Sequence, residues 1–339
     1  DVCSSDLRPV YANAHGWADI AEGRELALDT RMRFASMTKP VTAVAAMVLV
    51  ERGLLDLDDP VADYVPAFAG ARVALHQARN NAGGFDTRAA NPLLVRHLIT
   101  FSSGIGPGRE GSNSDLAETP LWRHWQDNNP RTVGAQSLDE AVAHIATLPL
   151  LEQPGTRWRY GWSADVLARV VEVASGQSFD SFLQREIFQP LGMMATSFLA
   201  AVPDRTELAT AYPQDAGGGL VPVHRPDSDT AYAEGGSGLV SSAGDYMRFA
   251  LMLYNQGIYR GARILEPDTV ARYSAGRPAR RAGRHRRRPA DVSPARTLFR
   301  ARHACVSARA PLRLRMARVP GSRDTDDARV AGGIHAVRR

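Results

Sequence analysis

Residues 33–40 read RFASMTKP and contain the only lysine of the 339-residue chain, whose other basic residues are all arginines. From Ser36 onward, apolar residues recur at spacings of three and four, which predicts a helix that stops at Gly53. Ser36 and Lys39 are three positions apart, so this helix would bring their side chains to one face.

This spacing suits nucleophilic catalysis. A serine hydroxyl is a weak nucleophile until a neighbouring base takes its proton. Lysine can be that base where its surroundings disfavour the ammonium form, whereas the guanidinium of arginine stays protonated. We therefore predict that Ser36 is a nucleophile and that Lys39 handles its proton. The alternative is a chance match, since a serine and a lysine at this spacing are common.

The rest of the chain predicts a mixture of strands, loops and helices. Residues 9–35 read as short strands joined by turns, and residues 70–135 read as a long, loop-rich region. Residues 235–242 read as a glycine turn that leads into a strand. Further helices are predicted at 93–100, 138–150, 163–176 (with Ser163 as N-cap), 178–193 (broken at Pro190) and 243–257.

The two ends of the chain differ from its body. Residues 277–339 hold 18 Arg and 4 Asp, whereas the preceding residues carry more acidic than basic side chains. We expect this Arg-rich tail to be non-native or disordered, most simply the product of a shifted reading frame; a basic arm that binds nucleic acid is the alternative. Residues 1–7 match one frame of a common sequencing adapter and are expected to be an artefact.

Several classes of function are disfavoured by composition. Cys3 and Cys305 lie in the two unusual ends, so the body offers no disulfide framework and no cysteine metal site. The histidines are scattered without a zinc motif, so we predict no metal and no cofactor. The sequence has no apolar run of 18 residues, which predicts no membrane segment. A cytoplasmic location is favoured over a periplasmic or secreted one, although we expect the N-terminus to be truncated.

Four blocks, in order, resemble the serine β-lactamase superfamily, and most closely the class C β-lactamase-like esterases called family VIII. The resemblance implies an α+β, β-lactamase/transpeptidase-like fold, with an antiparallel sheet flanked by helices from residues 8–70 and 230–276. Residues 71–229 would form a mostly helical part of the same domain, with the active site in the cleft between the two parts. The blocks are residues 34–68, 95–105, 154–193 and 234–257.

The resemblance also assigns roles to residues of this sequence. The family's second motif, Tyr-x-Asn or Tyr-Ser-x, corresponds to Tyr160-Gly161-Trp162. It implies that Tyr160 relays protons between Ser36 and the leaving group. Trp162 replaces an asparagine that contacts the substrate amide in the lactamases, which favours an ester pocket. Further substrate-binding residues implied by the resemblance are Ser102, Ser103, Gly235 and Gly236.

The family's third motif, Lys-Thr-Gly or Trp-Gly-Gly, is expected on a strand beyond about residue 290 and is not found there. The nearest string, Ala331-Gly332-Gly333, has no strand after it. In the family this strand supplies an oxyanion donor, and the loss of one such donor typically costs 100- to 1000-fold in rate, in order of magnitude.

The sequence therefore predicts a serine hydrolase that cleaves small carboxylic esters through an acyl-enzyme on Ser36. A β-lactamase or a D-alanyl-D-alanine carboxypeptidase is the first alternative. A catalytically defective, frame-shifted or scaffold member of the superfamily is the second. The expected partner is a small-molecule ester or β-lactam, and no nucleic acid is expected. The sequence gives no indication of the oligomeric state.

Overall fold

A computed structural model describes residues 11–107, 116, 118–202, 204–215, 217–223 and 230–275. The predictions for residues 1–7, for residues 277–339 and for the Ala331-Gly332-Gly333 string lie outside these described residues. Within the described part, helices surround short antiparallel strand pairs, so the predicted α+β class is confirmed.

The strands are β1 (Trp17–Asp19), β2 (Arg24–Glu25), β3 (Met32–Arg33), β4 (Arg72–Ala74), β5 (Thr87–Ala89), β6 (Ser197–Phe198), β7 (Leu239–Ser241), β8 (Ile258–Tyr259) and β9 (Ala262–Arg263). The helices are α1 (Thr38–Glu51), α2 (Val95–Ile99), α3 (Pro120–Asp127), α4 (Leu138–Thr147), α5 (Ser163–Ser175), α6 (Phe179–Leu183), α7 (Gln189–Leu191), α8 (Ala243–Tyr254) and α9 (Pro267–Ala275).

The predicted first helix exists, but a single 3₁₀ turn, Ala35–Met37, precedes it. Ala35 has a φ of +45°, in the left-handed region that non-glycine residues rarely occupy, so the regular helix starts only at Thr38. Gly53, with a φ of +68°, follows the helix as predicted. Helix α1 is buried along most of its length and packs against α5, which makes it the centre of the core.

The sheet behind the 3₁₀ turn has three antiparallel strands in the order β3-β7-β6. Met32 pairs with Ser241 and Ser197 pairs with Val240. The predicted sheet was confined to residues 8–70 and 230–276 and did not include β6. A two-residue strand shows no alternation of apolar and polar residues, so no sequence pattern marked it.

The loop-rich region contains more regular structure than predicted. Strands β4 and β5 form a hairpin, and α3 begins at Pro120 after Thr119, whose hydroxyl accepts a hydrogen bond from the Trp122 N–H. The two strands have three residues each, too few for a clear alternation, and α3 places only Leu121, Trp122 and Trp125 on its buried side over about two turns. Their stability depends on packing, since Leu121 and Trp125 are almost completely buried.

Two predicted helix boundaries are wrong. Trp162, without a side-chain cap, occupies the N-cap position of α5, and Ser163 is the first residue of that helix. The helix predicted to break at Pro190 continues through it, because a π-helical turn at Gln184–Phe188 links α6 to α7 just before the proline. The wider turn rearranges the backbone pairing where proline cannot donate a hydrogen bond.

Among the described residues, no helix combines the length and the apolar character needed to cross a membrane.

Candidate active site

Ser36 lies in the 3₁₀ turn at the N-terminal end of α1, where its side chain is exposed. Its hydroxyl oxygen accepts a hydrogen bond from Lys39 Nζ at 3.1 Å. The same oxygen is in a short hydrogen bond with the phenol oxygen of Tyr160. The structure thus brings together the three residues that the sequence and the resemblance predicted as catalytic.

Lys39 belongs to the first turn of α1, and its side chain reaches a glycine turn on the opposite side of the site. Its ammonium donates a second hydrogen bond to the carbonyl oxygen of Gly236, with a length of 2.6 Å. Nζ also lies 4.6 Å from the centre of the Tyr160 ring, within the range of a cation–π contact. These contacts point the amine at the Ser36 hydroxyl.

Tyr160 is oriented by the loop that precedes it and by the segment around Phe101. The two rings are stacked, with centroids 5.7 Å apart and planes 13° apart. The Arg159 N–H donates to the Phe101 carbonyl at 2.7 Å, and this bond fixes the backbone beside Tyr160. Phe101 has a φ of +54°, so the segment turns sharply at this contact.

Gly235 and Gly236 form the turn that faces Lys39. A β-carbon on Gly235 would lie 2.2 Å from the Ala164 carbonyl oxygen, and one on Gly236 would lie 2.6 Å from an Asp165 carboxylate oxygen. Only glycine lets the turn approach α5 this closely. The Thr42 hydroxyl, on α1, donates to the Gly235 carbonyl at 2.7 Å. The turn is therefore fixed between α1 and α5.

A buried group of charges, which sequence reasoning did not identify, lies behind this turn. The Glu234 carboxylate, 1% exposed, accepts two hydrogen bonds from the Arg131 guanidinium, at 2.7 Å and 2.5 Å. Arg131 also donates to Ser237 at 2.6 Å. Asp165, 2% exposed, accepts a hydrogen bond from the Gly236 N–H at 3.1 Å. We call Arg131, Glu234 and Asp165 the buried charge cluster.

Burial raises the pKa of Asp165 above its ordinary value, and the neighbouring Glu234 carboxylate raises it further. The positive charges of Lys39 and Arg131 and the hydrogen bond from the Gly236 N–H act in the opposite direction. Desolvation outweighs these favourable contacts, so the Asp165 carboxyl holds its proton more tightly than an exposed aspartate does.

The sequence held one signal for Asp165: an ionisable residue lies within the otherwise apolar or small buried face at the start of α5. Acidic residues are common in the first turn of a helix because they complement its dipole. Asp165 could therefore be explained by its position in the helix, and its burial was not predicted. Arg131 and Glu234 gave no signal, since they are 103 positions apart in the sequence.

The other predicted substrate-binding residues occupy different surroundings. Trp162 is 5% exposed and lies against Arg131, whose guanidinium carbon is 5.4 Å from a ring centre. Ser103 is fully buried, and its hydroxyl is hydrogen-bonded to that of Ser163 at 2.8 Å. The Ser102 hydroxyl is 2.9 Å from that of Thr100. The hydroxyls of Ser102 and Ser103 therefore pair with neighbouring side chains. The contact of Trp162, Ser102 and Ser103 with a substrate stays a prediction.

Comparison with known proteins adds independent findings. A family model described as Beta-lactamase matches residues 4–300. Protein Rv1367c of Mycobacterium tuberculosis is 35% identical over 266 residues, a match that covers 77% of this chain and 63% of that protein. Esterase EstB of Burkholderia gladioli is 32% identical over 260 residues, with 70% of this chain and 61% of EstB covered. The match thus spans less than two thirds of these relatives.

A solved structure agrees with the sequence matches. EstCE1, described as a hydrolase with promiscuous acyltransferase activity, aligns with a TM-score of 0.61 and 28% sequence identity. The alignment covers 77% of this chain and 67% of EstCE1.

Proposed function

This chain belongs to the Beta-lactamase family, as the sequence resemblance predicted, and we propose that it is a serine hydrolase of small carboxylic esters. The observation that carries this proposal is the Ser36 hydroxyl, which is hydrogen-bonded to both the Lys39 amine and the Tyr160 phenol. A nucleophile within hydrogen-bond reach of proton-transfer groups is the arrangement that acyl transfer needs.

The reaction would proceed in two halves. Ser36 Oγ attacks the ester carbonyl carbon while its proton passes to Lys39 Nζ, directly or through the Tyr160 phenol. The tetrahedral intermediate collapses, the bond to the alcohol breaks, and the departing alkoxide takes up that proton. Water then attacks the acyl-enzyme by the same steps, releases the acid and restores Ser36.

Two observations support an ester rather than a β-lactam. Trp162 stands where the lactamases place an asparagine for the substrate amide, and this indole is buried against Arg131. EstB, among the relatives, is named as an esterase. A β-lactam or a D-alanyl peptide remains the alternative substrate within the same chemistry.

Acyl transfer to an alcohol is a second candidate function. Ser36 is exposed, so a second molecule can approach an acyl group attached to its oxygen. EstCE1 is described as having promiscuous acyltransferase activity alongside its hydrolase activity. An added alcohol would then compete with water for the acyl-enzyme, and an ester of that alcohol would accumulate.

Turnover of p-nitrophenyl butyrate and of a chromogenic cephalosporin tests the proposal. We expect the wild-type chain to hydrolyse the ester, and Ser36→Ala to reduce the rate by about 10⁴-fold or more, as for the loss of other nucleophiles. Ser181→Ala removes an exposed hydroxyl on α6 and serves as the matched control, with activity unchanged.

Mass spectrometry of the quenched reaction should show a butyryl group on the wild-type chain and none on Ser36→Ala. Retained esterase activity in Ser36→Ala would exclude the mechanism. Turnover of the cephalosporin without the ester would instead support the lactamase alternative and contradict the interpretation of Trp162.

A further inference from the structure

Asp165 is a buried carboxylate that the proposed reaction does not use. It lies in the first turn of α5, 2% exposed, whereas the reacting hydroxyl of Ser36 lies in the turn that precedes α1. Burying an ionisable group is costly unless nearby partners compensate. Its position therefore calls for a reason beyond packing.

The contacts of Gly236 supply that reason. Its N–H donates to Asp165 Oδ1 at 3.1 Å, and its carbonyl oxygen accepts from Lys39 Nζ at 2.6 Å. The two polar groups of one backbone residue therefore connect the carboxyl group to the amine. A displacement of Gly236 would move the acceptor that directs Lys39 toward Ser36.

The residues on both sides of Gly236 are also fixed. The Thr42 hydroxyl holds the Gly235 carbonyl at 2.7 Å, and Gly235 is packed directly against the backbone of α5. On the other side, Ser237 accepts from Arg131 at 2.6 Å and donates to Glu234 at 2.7 Å. The residues on both sides of Gly236 are thus held by other groups. The hydrogen bond from the Gly236 N–H goes to Asp165, so Asp165 holds the middle of the turn.

We infer that Asp165 is a positioning residue for Lys39, acting through the backbone of Gly236. The inference rests on the proposed function, because the role of Lys39 is to handle the proton of Ser36. The essential feature is the hydrogen-bond acceptor at position 165. Asparagine keeps an acceptor oxygen of the same shape, whereas alanine removes it and leaves the Gly236 N–H without this partner.

Kinetics of Asp165→Ala and Asp165→Asn form the first test. We expect Asp165→Ala to lower kcat by about 100-fold, the size associated with a misplacement of about 1 Å, with little change in KM. We expect Asp165→Asn to stay within about fivefold of wild type, the effect of one weakened hydrogen bond. An equal loss in both variants, or a change confined to KM, would overturn the inference.

The single lysine of the chain permits a test that needs no substrate. Protein grown on lysine labelled with ¹³C at Cε gives one lysine NMR signal. We expect this signal to coincide in wild type and Asp165→Asn, and to move toward the position of free lysine in Asp165→Ala. An unmoved signal in Asp165→Ala would overturn the inference, even if the chain hydrolysed esters. Absence of ester turnover in wild type would instead count against the proposed function alone.

Asp245→Ala is the matched control for loss of a buried carboxylate. Asp245 is 4% exposed and accepts hydrogen bonds from the Ala195 N–H and the Thr196 hydroxyl, away from Lys39. Under conditions where it is folded, we expect its lysine signal and kcat to match wild type. A displaced lysine signal in Asp245→Ala would show that any buried aspartate has this effect, and would contradict a specific role for Asp165.

Discussion

Asp165 and Asp245 are buried to almost the same extent, yet their surroundings differ. Asp245, on α8, accepts from the Ala195 N–H at 2.7 Å, from the Thr196 hydroxyl at 3.0 Å and from the Arg248 guanidinium at 2.7 Å. Asp165 accepts one backbone hydrogen bond at 3.1 Å, and the pKa of its carboxyl is raised by burial and then by Glu234.

The difference shows what each carboxyl group does. A buried carboxylate with several good donors stabilises the segments that supply them, and Asp245 joins α8 to the start of β6 in this way. Asp165 accepts fewer hydrogen bonds and is linked through Gly236 to the Lys39 amine, which we propose to carry the proton of Ser36. Marginal compensation of this kind is typical of functional sites, where charge changes during the reaction. The comparison thus supports a structural role for Asp245 and the proposed role of Asp165 in positioning Lys39.

The largest expected effect concerns the Lys39 amine, to which Asp165 is linked through Gly236. Lys39→Arg keeps a positive charge and hydrogen-bond donors beside Gly236, but a guanidinium does not give up its proton. We expect kcat/KM for p-nitrophenyl butyrate to fall by about 10²- to 10⁴-fold, the usual contribution of general acid–base catalysis.

A thermal melt of the same protein supplies the control for Lys39→Arg. We expect the melting temperature to stay close to wild type, because the positive charge that acts on Asp165 of the buried charge cluster is preserved. If Lys39→Arg retained most of its activity, the positive charge rather than the proton transfer would be what the site requires. That result would remove the reason for giving Asp165, which is linked to Lys39, a different role from Asp245.

The residues proposed as catalytic could be identified from the sequence because their signals are local. Ser36 and Lys39 lie within one turn, and Tyr160 belongs to a short motif with a family likeness. Asp165 was hidden because its partner, Gly236, is 71 positions away and the contact involves only the backbone of that partner. Long-range contacts of this kind leave no periodic pattern in a single sequence.

The same distinction applies to the fold. Helices α1, α5 and α8 each run for three or more turns, so the helical spacing of their apolar residues was visible. Strand β6, with two residues, is too short to show a period, and α3 carries only three buried apolar residues over about two turns, so tertiary pairing and packing define both. The helix continues through Pro190 because of the π-helical turn just before it. No pattern in the sequence predicted that turn.

The next prediction compares the two aspartates directly by stability. Asp245→Ala leaves the Ala195 N–H and the Thr196 hydroxyl without their carboxylate partner. Losing a buried, charge-assisted acceptor costs about 3 kcal/mol in the free energy of unfolding. Asp165→Ala removes one hydrogen bond and also an unfavourable buried charge, so we expect a cost of about 1 kcal/mol.

Urea unfolding of both variants, beside their activities, measures this contrast. We expect opposite rankings: Asp245→Ala loses more stability, and Asp165→Ala loses more activity. If the two variants lost stability equally while only one lost activity, the interpretation of Asp245 as the better-compensated group would be wrong.

The last prediction concerns the pH dependence of stability that Asp165 contributes. Since the pKa of Asp165 is raised in the folded state, the folded chain binds this proton more tightly than the unfolded chain does. Its contribution to the free energy of unfolding is therefore fully present below the ordinary value of 3.8 and decreases as the pH rises toward the folded-state pKa.

Asp165→Asn has no titrating group at this position, so its unfolding free energy should gain on that of wild type as the pH rises from 4 to 8. A constant difference between Asp165→Asn and wild type would mean that burial does not change how tightly the Asp165 carboxyl holds its proton. The contrast between the two buried aspartates would then lie in their hydrogen-bond partners alone, and the cost of burying Asp165 would no longer support its role in positioning Lys39.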